Sequence, residues 1–151
     1  MGKFIRTGIN LCLLVLVLWL AFEGYQRYFV ESPYEKDKKG IERLIVDRNF
    51  RGAIDTLREF RDTYPEQEAY YNEKMFHCER FIAYEYQDKA LPLSLSESKP
   101  IYREMLKWFK SAGKYGDYDK LDYRAMGAGF MTLGEKKKYK MCMRKAKALS
   151  E

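Results

Sequence analysis

The sequence has little of what most enzyme and metal chemistry requires. It carries one histidine, His77, and three cysteines, Cys12, Cys78 and Cys142. An odd number of cysteines without short spacing makes neither a disulfide framework nor a zinc site. His77 and Cys78 are neighbours, and neighbours on a helix point about 100° apart. They therefore cannot share a metal or act as a nucleophile–base pair. No HExxH, GxSxG, CxxC or Gly-rich phosphate loop occurs. The carboxylates are scattered among basic residues, as on a solvated helix surface. Strand-like alternation is also scarce. These absences predict a chain that is not an enzyme, with no catalytic residue, no cofactor and no metal. Without a nucleic-acid fingerprint, no nucleic-acid partner is expected either.

What is present begins with an apolar run. Leu11–Phe22 reads LCLLVLVLWLAF, inside an uncharged stretch of 16 residues, Thr7–Phe22. A spanning helix needs roughly 20 residues, and Gly24, Tyr25, Tyr28, Phe29 and Val30 extend the run. A membrane anchor is expected, meeting the bilayer over residues 7–30 through Leu11, Leu14, Val17, Trp19 and Phe22. Trp19, Tyr25 and Tyr28 suit an aromatic belt at the interface. The competing reading is a cleaved signal peptide, since Lys3 and Arg6 form a basic leader. Against it, Phe22 is followed by bulky and charged residues, not by a small-x-small cleavage site. An uncleaved signal-anchor is expected, with the N-terminus cytoplasmic and the domain on the periplasmic or lumenal side. The basic residues flanking the run are nearly balanced, so a cytoplasmic domain is the alternative.

Residues 1–34 thus read as anchor and juxtamembrane segment, and 35–151 as one all-α domain. Ile41, Leu44, Ile45 and Arg48 follow helical spacing, interrupted at Asn49. Ala53, Ile54, Leu57 and Phe60 form an apolar stripe. Tyr64-Pro65 ends that helix, because a residue before proline avoids the α region. Tyr70, Tyr71, Met75, Cys78, Phe81 and Ile82 mark a third helix over about 66–89. Leu91–Lys99 reads as a break, with Pro92 and Pro100 at its edges and Ser98 capping the next helix. Ile101, Met105, Trp108 and Phe109 belong to that helix, which Gly113 ends. Leu121, Tyr123, Met126 and Phe130 mark a fifth, closed by Gly134. Tyr139, Met143, Ala146 and Leu149 stripe a sixth. Six helices with short connections predict an antiparallel array.

Two segments resemble the tetratricopeptide repeat, a helix-turn-helix unit of about 34 residues. In the last, Tyr123, Met126-Gly127, Phe130, Leu133-Gly134, Tyr139, Met143 and Ala146 follow the family's offsets. Tyr139 stands where a small residue is usual, which implies wider helix spacing there. In the first, Phe50, Ala53, Leu57, Phe60 and Pro65 carry the match. The middle unit is weaker, with the 91–99 segment inserted. The resemblance covers 35–151 and implies a tetratricopeptide-like array of about six helices behind an N-terminal anchor, as in bacterial anchored proteins of this type. The family's groove positions fall on Lys38, Glu42, Ile45, Asn72, Phe76, Arg80, Arg124, Ala128 and Met131. They lack the Lys/Asn set that grips a C-terminal carboxylate.

Charge is unevenly spread. Residues 66–98 carry seven acids against Lys74, Arg80 and Lys89, whereas 99–151 carry 14 bases against six acids. Lys136, Lys137, Lys138 and Lys140, with Arg144, Lys145 and Lys147, concentrate on the last helix. They read either as a solvated face or as a site for an acidic protein or anionic lipid. The function these features imply is a membrane-anchored protein–protein interaction module, an accessory or assembly subunit whose partners are other subunits of a membrane complex. The alternatives are a small structural subunit that packs through its span, and a periplasmic chaperone-like adaptor.

Overall fold

A computed structural model describes residues 15–23, 25 and 32–150. The chain divides into two compact units, 1–39 and 40–151. In the first, residues 15–23 are helical and every one is exposed. Val17, Trp19 and Phe22 are 61%, 57% and 62% accessible. Leu11 and Leu14 lie outside the described residues, as does much of the 7–30 run. Among the described residues no helix is long and apolar enough to cross a membrane.

The chain is all-helical, with no strand among the described residues. Beyond the helical 15–23 segment, the helices are α1 (Pro33–Val46), α2 (Phe50–Thr63), α3 (Glu68–Ala90), α4 (Leu95–Ala112), α5 (Lys120–Thr132) and α6 (Lys136–Ala148), with a 3₁₀ turn at Pro65–Gln67. In the second unit α2 packs on α3, α3 on α4, α4 on α5 and α5 on α6. The core follows the apolar stripes. Phe50, Ala53, Ile54, Leu57 and Phe60 of α2 are buried, as are Tyr71, Met75, Cys78 and Ile82 of α3 and Tyr102, Met105, Phe109 and Ala112 of α4. The spacing of three and four puts each set on one helix face.

Two helices end in the same way with different residues. After α1 the amide of Asn49 reaches Leu44 and that of Arg48 reaches Ile45. After α5 the amide of Glu135 reaches Phe130 and that of Gly134 reaches Met131. Both are Schellman turns, whose C′ residue sits in the left-handed region. Gly134, with φ +79°, adopts it freely, whereas Arg48, with φ 57°, does so against its Cβ.

Three sequence expectations need correction. Helix α4 starts at Leu95, capped by Ser94 rather than Ser98. Ser94 and Glu97 form a capping box, and Ser98 is buried in the first turn. Pro100 stays inside the helix, because its missing N–H would have faced the carbonyl of Ser96, which is exposed to water. On α6 the stripe runs through Cys142 and Ala146, each 2% exposed, while Met143 is 37% exposed. Finally, Tyr139 does not push α5 and α6 apart. A Cβ on Gly127 would lie 3.6 Å from Tyr139 and 3.7 Å from the Cβ of Cys142. Gly129 is turned to the opposite side, where a Cβ would come within 2.7 Å of Met105. Two glycines two residues apart thus let α5 be packed closely from both sides.

Candidate partner-binding faces

Asn72, Phe76 and Arg80 stand four residues apart on α3 and therefore share one helix face. All three are half-buried. Phe76 packs on the Tyr118 ring at 6.1 Å between centroids. Arg80 is committed to the start of α5. Its Nη2 donates to Asp119 Oδ2 at 2.7 Å, and its Nε lies 2.8 Å from Asp122 Oδ1. Asp122 is fully buried. It also accepts from the Tyr84 hydroxyl at 2.7 Å and, through Oδ2, from the Asp119 amide at 2.9 Å. Asp119 in turn caps α5, accepting from the Leu121 and Asp122 amides. A buried carboxylate is tolerated only when paired and hydrogen-bonded, and Asp122 is both.

This cluster shifts its members. Burial alone would raise Asp119, but the amides of Asp122 and Leu121 and the Arg80 charge outweigh it and hold that carboxyl below its usual range. Burial, then the hydrogen bond to Asp122, push the Tyr84 phenol up. Arg80 would be lowered by burial, but Asp122 and Asp119 raise it, so it stays charged. The arrangement fastens α3 to α5.

Two clefts flank this fastening. One, of about 650 Å³, is lined by Arg61, Asp62, Pro65, Glu68, Tyr71, Asn72, Lys114 and Tyr115. The Arg61 guanidinium lies over the Tyr71 ring at 5.1 Å. The other, of about 340 Å³, is lined by Arg80, Tyr84, Gln87, Leu121, Arg124 and Ala125. Two expected groove residues, Arg80 and Arg124, thus meet in one cleft, and Asn72 lines the other. Along α5 the positions Leu121, Arg124, Ala128 and Met131 form one row at spacings of three, four and three. Leu121 and Met131 are 59% and 64% exposed. Lys38 belongs to the first unit, where its ammonium lies 5.8 Å from the Tyr34 ring centre. In the second unit Glu42 is exposed and Ile45 half-buried.

The basic set on α6 is sorted by the helix. Lys138, although exposed, lies 2.5 Å from Glu135 and over the Phe130 ring at 5.3 Å. Lys145 lies over the Tyr123 ring at 5.2 Å. Lys136, Lys137 and Lys140 are exposed.

Burial pushes the Cys78 thiol up to about 12 and raises Cys142, so neither is a thiolate nucleophile. His77 packs on Phe81 at 4.5 Å, and burial, then Lys74 and Arg80, lower its pKa. Glu79 is 4% exposed, and its Oε2 has no hydrogen-bond partner. Burial raises its carboxyl against the Ser111 hydrogen bond and the charges of Lys114 and Arg58.

The α3–α5 cluster was not anticipated from sequence. Its local half was readable, because Asp119-x-x-Asp122 is a capping-box spacing. The Tyr84 and Arg80 half joins residues nearly forty positions apart, which no local pattern reports. Comparison with protein-family models, with curated proteins and with solved structures finds no match to the chain.

Proposed function

We propose that this chain is a non-enzymatic, membrane-anchored protein–protein interaction module, an accessory or assembly subunit of a membrane complex. In this reading the helices after residue 33 form a tetratricopeptide-like array, and its binding face is the side of α3 and α5 that bears the 340 Å³ cleft. The observation that carries it is the outer row of α5. Leu121 stands exposed at the cleft beside Arg124, and Met131, also exposed, stands two turns further along the same row. Exposed apolar side chains grouped beside a polar rim are the usual mark of a docking surface. A methionine there gives a surface that can adapt to its partner. The tetratricopeptide reading draws support from the successive packing of α3 to α6 and from the close approach at Gly127.

The anchor is the second part of the proposal. It is supported by the apolar helix at 15–23, whose side chains are all left exposed. Such a segment in water is unfavourable at about 25 cal/mol per Å² of apolar surface, and a bilayer removes that cost. The domain then stands on the side away from the cytoplasm. The test is co-purification after gentle detergent extraction of the full chain and of a Leu121→Glu, Met131→Glu variant. The variant is expected to lose its stoichiometric partner while melting like the parent. Retention of the partner would rule out the α5 row as the docking face.

A further inference from the structure

The seven cations of the last helix do not act as one patch, because the helix divides them. With Lys138 and Lys145 turned onto aromatic rings, four others form a line. Lys137, Lys140, Arg144 and Lys147 stand at spacings of three, four and three, and all four are exposed. That spacing is one helix stripe, about 15 Å long at 1.5 Å per residue. It lies directly opposite the Cys142–Ala146 face that docks on α5. Among the described residues none of the four has an ion pair, and the sequence has no acid between Glu135 and Glu151. Like charges three and four residues apart on a helix repel, so the stripe weakens the helix that carries it. Only Lys147, in the last turn, gains from the helix dipole.

We infer that this ridge is a contact for the anionic phospholipid headgroups of a bilayer, holding the helical domain against the membrane surface. The chemistry is charge complementarity. The stripe is straight and has no concavity, which suits a broad field of diffuse negative charge better than one shaped acidic pocket. Three of its four members are lysines, flexible point charges and not forked donors that read a fixed geometry. Met141 and Met143 are 51% and 37% exposed on the same helix, and its C-cap residue Leu149 is 55% exposed. Methionine flanks on a cationic stripe suit the depth of the headgroups. The apolar face of α6 is used by α5, so the contact is adsorption and not insertion. Each lysine near an anionic surface adds a modest attraction, and tethering multiplies the sum through effective concentration. For that tethering the inference rests on the anchor reading above; for its chemistry it does not.

The test is amine acetylation of the full chain in nanodiscs, read by mass spectrometry at Lys137, Lys140 and Lys147, with exposed Lys110 of α4 as reference. Discs of phosphatidylcholine alone are compared with discs that also contain phosphatidylglycerol. The ridge lysines are expected to react several-fold more slowly in the anionic discs, and high salt should abolish the difference. Equal rates in the two kinds of disc would overturn the inference. So would equal slowing in both, or slowing by soluble poly-aspartate without any effect of anionic lipid, which would assign the ridge to an acidic protein. A chain that carbonate strips from the discs refutes the anchor instead. The ridge is then decided by flotation of the chain with vesicles. Recovery with phosphatidylglycerol vesicles and not with neutral ones upholds it, and recovery with neither refutes it.

Discussion

Helices α2 and α6 are almost equal in length, 14 and 13 residues, but they are held in place by opposite means. Helix α2 buries Phe50, Ala53, Ile54, Leu57 and Phe60. Its N-terminus is capped by Asn49, whose Oδ1 accepts from the Gly52 amide at 3.1 Å. Helix α6 buries only Cys142 and Ala146, and its N-cap residue, Glu135, makes no side-chain capping bond. Large side chains give α2 its docking energy directly, at about 1.5–3 kcal/mol for each fully buried one. Small side chains give α6 proximity instead, since Gly127 lets the two backbones come close. The second strategy yields less energy and leaves the outer surface unconstrained by packing. The lesson is that a helix with one covered side can carry a charge pattern that a helix packed on several sides could not.

The largest blow to this contrast comes from Leu57→Ala. Leu57 is fully buried, and removing its side chain should lower global stability by about 2–5 kcal/mol. Chemical denaturation should show one earlier, still cooperative transition. A smaller effect on global stability is expected from Cys142→Asp, which places an unpaired charge at the α5–α6 contact, because α6 can open to hydrate it while the rest of the core stays packed. Hydrogen exchange should find α6 amides deprotected while those of α2 and α3 keep their protection. If α2 loses protection equally, the two helices belong to one cooperative unit and the contrast is false. The smallest effect concerns the flaw on the well-packed side, Glu79.

Its carboxyl is raised above the usual 4.5 by burial. The folded state therefore binds a proton that the unfolded state has already lost, and stability falls as pH rises from about 4.5 through the folded pKa. Lowering the pH through that window should recover stability in the parent, and Glu79→Gln should flatten the profile. His77, lowered from 6.5, acts oppositely by losing stability as pH falls below that value, but it cancels in the difference between the two proteins. Asp119, held below 3.8, acts only at lower pH. A Gln variant with the parent's full pH profile would show that Glu79 is not the group responsible.

Most helix boundaries were legible because the punctuation was local. Tyr64-Pro65 and Gly134 each end a helix where their backbone preferences require, whereas Gly113 ends one in helical conformation, where a Cβ would meet Tyr118. The start of α4 was misread because two prolines outweighed a capping box, although Pro100 removes only a hydrogen bond that water can replace. The stripe of α6 slipped by one residue because Cys142 and Met143 are both apolar. Both lie near Gly127, Met143 through its sulfur and Cys142 through its Cβ, and only Cys142 is buried there. Of the candidate faces, the α3 row was visible as a spacing. That Arg80 and Phe76 are occupied by the segment around Tyr118–Asp122 depends on contacts distant in sequence, and spacing cannot report them.

The two described cysteines give this architecture a native clock. Cys78 is sealed in α3 and Cys142 under α6, and both are free thiols. With Cys12 changed to serine, a thiol-specific reagent reaches each sulfur only when its own helix opens. The labelling rate at each position then follows the free energy of that opening. One reagent and one mass spectrum thus time the departure of the terminal helix separately from the loss of the core, with no probe added to the protein.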